Sequence, residues 1–117
     1  MNAKEAYAYL LAKKGAVADY PFGPEHCVPK VGGKMFAILT GEAVSLKCEP
    51  ALAELLRRTY PAIQPGYHLN KTHWNTIALD GSVPDAELRA QMDMSYDLVL
   101  KSLTRAARAA VLEGEPQ

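Results

Sequence analysis

The residues best suited to chemistry crowd into Gly66-Tyr67-His68-Leu69-Asn70-Lys71-Thr72-His73-Trp74-Asn75, which holds the only tryptophan, two of the three histidines, a lysine and two asparagines. Cationic and amide side chains of this kind suit phosphate and sugar oxygens, and an aromatic ring beside them suits stacking or wedging against a base. Tyr67 and Trp74 also fit a plainer role, as buried aromatics whose polar tips satisfy a turn. Lys71 is expected at an exposed tip. Charge must act locally here: 13 Lys and Arg balance 13 Asp and Glu, so a polyanion would be met by clustering and not by a net field. No acid occurs between Leu55 and Leu79, the run that contains Arg57, Arg58 and Lys71. A second acid-free run, Leu98 to Leu112, carries Lys101, Arg105 and Arg108 at helical spacing. Cations toward a helix C-terminus are favoured by the macrodipole, so helix stabilisation accounts for that stripe.

Other chemistries find less support. His26, His68, His73, Cys27 and Cys48 invite a metal, but none of the tight ligand pairs of zinc sites occurs, and no metal or other cofactor is expected. The thiols read as free cysteines of a reducing compartment. No G-x-S-x-G, paired-carboxylate motif, phosphate-binding glycine loop or cofactor fingerprint is present, so the expectation is a protein that is not an enzyme.

The elements that must position these residues follow from periodicity. The chain has 117 residues, 49% apolar and 22% charged, a composition that fits one domain spanning residues 1–117. Asn2 and Glu5 form a capping box before an apolar repeat at Ala6, Tyr7, Leu10 and Leu11, and Gly15 ends that helix. Asp19 to Pro24 is a loop. Gly32-Gly33 and Gly41-Glu42 then read as two-residue turns joining three antiparallel strands. Pro50 opens a second helix with Leu52, Leu55 and Leu56 inward, stopped by Tyr60-Pro61. Ile63 to Leu79 reads as a two-strand hairpin with Lys71 at its tip. From Pro84, apolar residues from Leu88 to Ala110 recur every three or four positions, predicting one long C-terminal helix. Residues 113–117 are expected to fray.

The turns also set a register. Pro29 falls opposite Phe36, and Phe36 opposite Lys47. The core face then holds Val28, Met35, Ala37, Leu39, Val44, Leu46 and Cys48. The outer face holds Val31, Lys34, Phe36, Ile38, Ser45 and Lys47, with Cys27 and Cys48 on opposite sides. Pro29 cannot donate to a ladder, which predicts an edge strand.

In order along nearly the whole chain, the pieces Tyr20-Pro21-Phe22-Gly23-Pro24-Glu25, Lys30-Val31-Gly32-Gly33-Lys34-Met35-Phe36-Ala37, Leu46-Lys47-Cys48, Pro65 to Lys71, His73-Trp74-Asn75-Thr76, Leu79-Asp80-Gly81 and Ser95-Tyr96-Asp97-Leu98-Val99 resemble the MmcQ/YjbR family of small bacterial proteins. The resemblance implies an α+β fold like that of CyaY, the bacterial frataxin, and a DNA-binding role attributed to a double-wing arrangement of hairpins. It carries no catalytic residues. It does carry hairpin positions: Lys34 beside the first turn, and His68, Asn70, Lys71, His73 and Trp74 at the second. Lys47 joins them from the register. Iron binding does not follow from the CyaY likeness, because hard cations want clustered carboxylates and the first helix offers only Glu5.

The expected protein is therefore a non-enzymatic α+β domain that contacts double-stranded DNA phosphates with weak sequence preference. The alternative is a protein-interaction module using the outer sheet face around Val31, Phe36 and Ile38, or the long C-terminal helix, to hold a protein partner. Met1 to Glu5 lack a secretion signal, and no apolar run approaches the roughly 20 residues of a membrane span. A cytoplasmic location without membrane contact is expected.

Overall fold

The capping box is made in the computed structural model, which describes residues 1–67 and 69–114. Asn2 Oδ1 accepts the Glu5 amide at 2.8 Å, and Glu5 Oε1 accepts the Asn2 amide at 2.9 Å. This starts α1 (Ala3–Leu11). Glu49 caps α2 (Pro50–Thr59), whose first residue is the proline that needs no N–H there. The strands are β1 (Val17–Asp19), β2 (His26–Val31), β3 (Lys34–Met35), β4 (Ala37–Thr40), β5 (Ala43–Lys47), β6 (Ile63–Pro65) and β7 (Trp74–Ala78). They form one antiparallel sheet in the order β1-β2-β4-β5-β7-β6, with β3 also on β2. The remaining helices are α3 (Asp85–Ser102) and α4 (Arg105–Glu113).

Both turns have the two-residue length read from the sequence: Val31 faces Lys34 across Gly32-Gly33, and Thr40 faces Ala43 across Gly41-Glu42. Gly32 and Gly33 have φ of 57° and 82°, the left-handed values that a primed turn demands. Helices α1, α2 and α3 pack on one face of the sheet. The core lies between, with Leu10, Phe36, Val44, Leu46, Ile63, Ile77, Leu88 and Met92 almost fully buried. By alternation from these, Ile38, Ser45, Lys47, Trp74 and Thr76 point to the opposite face.

Several expectations are corrected. Phe36 is not on the outer face. It is a bulge between β3 and β4: Lys30 faces Met35, but Cys27 faces Leu39, one residue out of step. The extra residue turns Phe36 into the core, fully buried, with its ring edge-on to Tyr96 at 5.4 Å and 84°. It also flips β2, so Val31 and Cys27 join the core with Cys48, while Val28 is buried outside that cluster. The expected outer face thus keeps Ile38, Ser45 and Lys47 but loses Val31, Phe36 and Lys34, the last paired with Val31 and turned toward Ser102 on α3. Pro29 is not on an edge strand, because β1 pairs with β2 on its far side. Its missing N–H is tolerated opposite the bulge, where the Phe36 amide still donates to the Pro29 carbonyl at 3.0 Å.

The long C-terminal helix is two helices. Leu103 leaves helical geometry (φ −72°, ψ 157°) and is buried, and the Thr104 side chain accepts the Ala107 amide at 3.1 Å to start α4. A threonine that offers the backbone a cap competes with helix continuation. Lys101 therefore lies on a different helix from Arg105 and Arg108, and the continuous basic stripe does not exist. Helix α4 runs to Glu113, and residues 115–117 lie outside the described residues.

Both cysteines are free and buried. Burial pushes the Cys48 thiol up to about 11, and burial also raises Cys27 against a lowering hydrogen bond from Tyr20. Neither is poised for thiolate chemistry.

Candidate nucleic-acid interface

Strands β2 and β5 end, and β4 and β7 begin, at the same end of the sheet, which follows from the antiparallel register. That end therefore gathers Lys34 after the glycine turn, Lys47 at the end of β5, and the 66–73 connection between β6 and β7. Lys47 stands directly across from Trp74, and Trp74 takes the Gly66 amide at 2.8 Å. Lys71 Nζ in turn donates to the Gly66 carbonyl at 3.0 Å. The three lysines thus lie toward one end of the sheet but not on one face: Lys34 pairs with the core residue Val31 and turns to the helix side, whereas Lys47 points to the opposite face.

None of the three pairs with an acid. The ion pairs among the described residues are Met1 with Asp85, Lys13 with Asp93, and Lys30 with Asp19. Lys34 Nζ instead lies 3.3 Å from the Ser102 carbonyl at the end of α3, where a cation suits the helix dipole. Lys34 and Lys71 are exposed and Lys47 is half-buried.

The 66–73 connection is built by its own polar side chains. Asn70 Oδ1 accepts the amides of Thr72 at 2.9 Å and His73 at 3.3 Å, an Asx turn of the kind asparagine favours. Arg57 on α2 anchors it from beneath. Its Nε donates to Asn75 Oδ1 at 2.6 Å, and its Nη2 donates to the carbonyls of Lys71 and Trp74. Arg57 is thus an anchor for the loop that presents Lys71. The sequence hinted at this only by placing Arg57 in the same acid-free run.

The aromatic assignments divide. Trp74 is 7% exposed, and a Cβ on Gly66 would come within 2.7 Å of its Cβ, so its ring is not a platform for a base. Tyr67 is 73% exposed and is the aromatic that this loop presents. Asn70 and His73 are exposed beside it. His68 lies outside the described residues.

An antiparallel sheet carrying three packed helices on one face defines a small α+β domain, and its sequence places it among known proteins. The family model described as YjbR matches residues 11–98, and the chain belongs to the YjbR family. It is similar to the uncharacterised protein YjbR of Escherichia coli K12, 36% identical over 97% of this chain and 99% of the relative. It is also similar to the uncharacterised protein YbdF of Escherichia coli O157:H7, 37% identical over 81% of each chain. Among solved structures, the Deinococcus radiodurans protein DR2400, with its DUF419 domain, superposes with a TM-score of 0.87 at 34% identity, covering 100% of this chain and 96% of that one. A Pseudomonas syringae protein superposes with a TM-score of 0.73 at 27% identity, covering 84% of this chain and 98% of that one.

Proposed function

We propose that the chain is a non-enzymatic DNA-binding protein that lays one end of its sheet on duplex phosphates, with weak sequence preference. The observation that supports this reading is that Lys34, Lys47 and Lys71 all lie toward one end of the sheet, with no acidic partner among the described residues. Ammonium groups without an acidic partner release condensed counterions when they meet phosphate, which drives binding even in a protein of zero net charge. Asn70 and His73 add hydrogen-bonding groups beside Lys71. With Trp74 buried, base contact falls to Tyr67, and positioning by phosphates dominates.

The test is the salt dependence of duplex binding. Log affinity should fall with log salt by about 0.9 for each phosphate contacted, and Lys34→Ala, Lys47→Ala and Lys71→Ala should each flatten the slope by about one. Binding that ignores salt, or that all three variants retain unchanged, removes the proposal.

A protein-interaction module is the second reading, and the observation that favours it is α4, which has no buried residue and ends with Leu112 exposed. A stable complex in light scattering that Leu112→Ser abolishes, with no retardation of duplex DNA, supports it over the first.

A further inference from the structure

The sheet face without packed helices is not flat. Between the 20–25 loop and the 66–73 connection it holds a cleft of about 400 Å³, toward the small end of ligand sites. Ile38, Ser45 and Thr76 line it from the sheet, and the rings of Phe22 and Tyr67, 58% and 73% exposed, line it from the loops. Among the described residues, no Lys, Arg, Asp or Glu lines it.

The polar groups in the cleft can be counted. Ser45 Oγ and Thr76 Oγ1 are 2.8 Å apart, and Thr76 Oγ1 also accepts the Tyr67 amide at 3.1 Å. Two hydroxyls carry two hydrogens, and one is used between them. The pair therefore keeps one O–H to donate, whichever way that bond runs. At the β2 side, His26 Nδ1 and Thr40 Oγ1 satisfy each other at 2.9 Å, which leaves Nε2 as the ring nitrogen for a ligand.

We propose that this cleft binds a flat, uncharged aromatic ring bearing a carbonyl. Phe22 and Tyr67 supply ring faces and edges for a π-system. Ile38 supplies an apolar floor, and the leftover hydroxyl hydrogen asks for an acceptor. A charged ligand would lose its hydration where, among the described residues, no Lys, Arg, Asp or Glu meets it and His26 is the one ionisable nitrogen in the lining. The ring can come from a free small molecule or from an unstacked nucleobase. The site does not depend on phosphate contact at the lysine turns.

Titration of ¹⁵N-labelled protein with benzamide tests it. Benzamide is expected to shift the amides of Ile38, Ser45 and Thr76 in the millimolar range, with benzoate and cyclohexanecarboxamide markedly weaker. Phe22→Ala and Tyr67→Ala, both at exposed positions and checked for an unchanged melting temperature, should each weaken benzamide about tenfold. Lys34→Ala and Lys47→Ala should leave the titration unchanged, so failure of the duplex reading and failure of the ring site read out separately. Thymidine distinguishes the sources: shifts at the same amides assign the ring to a nucleobase, and silence beside a benzamide response assigns it to a free molecule. Absence of any benzamide or thymidine shift, an equal response to benzoate and the saturated amide, or full binding by both aromatic variants overturns the site.

Discussion

The Ser95 hydroxyl donates to the carbonyl of Phe36, 59 residues earlier in the chain, and accepts the Lys47 amide at 2.8 Å. A side chain on α3 thereby completes the sheet where the bulge interrupts it. Pro29, the β2 residue beside Phe36, has no N–H to give that carbonyl, and Ser95 supplies the missing donor. Ser95→Ala leaves a buried carbonyl and a part-buried amide without partners. A buried group left unpaired costs about 1–3 kcal/mol and the part-buried amide less, so a loss of about 2–4 kcal/mol is expected in urea unfolding at constant m-value. Ser95→Thr keeps the hydroxyl and should recover part of it. A loss below about 0.5 kcal/mol for Ser95→Ala would contradict the bridge.

The two glycines of the first turn are not equivalent. A Cβ on Gly32 would stand 2.6 Å from Leu103 Cδ1, whereas one on Gly33 would meet nothing within 4 Å. Both have positive φ, so Gly33→Ala should cost only the left-handed strain, about 1–2 kcal/mol. Gly32→Ala should cost more, because Leu103 is buried where α3 ends and must shift. Urea unfolding of both variants checks the order, and Gly32→Ala/Leu103→Ala should narrow the difference between the two glycines.

These contacts also show what the sequence could and could not disclose. Gly-Gly and Gly-Glu specify their turns locally, so both turns and the pairing of β4 with β5 were legible, but the shared outer face read for Lys34 and Lys47 was not, because Lys34 follows its partner Val31 to the helix side. The bulge was not, since it joins a proline in β2 to a serine on α3, and no window along the chain contains both. One slipped residue then moved Phe36, Val31 and Cys27 to the core face. Strand β1 is three residues long and shows no period of its own. The helix break at Leu103 was masked because its apolar repeat continues through the break. At the candidate site, burial of Trp74 depends on Gly66 packing against it, while the Lys71 anchor depends on Arg57 from another element.

Asp93 accepts hydrogen bonds from Lys13 and, at 2.7 Å, from the Tyr9 hydroxyl. Burial pushes the Asp93 carboxyl up, but these two donors outweigh it and hold it below the usual carboxylate range. A depressed folded-state pKa stabilises the protein fully above the unfolded value of about 3.9, and that share is lost as pH falls through the lower folded value. Asp93→Asn should therefore be less stable than wild type at pH 7, with the gap closing toward pH 2. Solvent screens the pair, since the Asp93 side chain is 45% exposed, so the gap at pH 7 should be modest. Urea midpoints at pH 7, 4 and 2.5 provide the measurement, and a gap independent of pH would assign the effect to packing.

Arg57 ties the helix α2 to the loop that carries Lys71 through three acceptors: Asn75 Oδ1 and the carbonyls of Lys71 and Trp74. Its planar fork can serve all three at once, which a single ammonium cannot. Asn75 is buried, and its amide also donates to the Ala53 carbonyl at 3.4 Å, so losing Arg57 leaves a buried acceptor exposed to no solvent. Arg57→Ala should cost about 1–3 kcal/mol and speed amide exchange at Thr72, His73 and Trp74. Arg57→Lys keeps the positive charge while giving up the fork. If Lys71 contacts phosphate only when its loop is held, Arg57→Lys should weaken duplex binding about as much as Lys71→Ala does and flatten the salt slope by a similar amount. Binding equal to wild type, with faster exchange confined to the loop, would show that the anchor matters for stability alone.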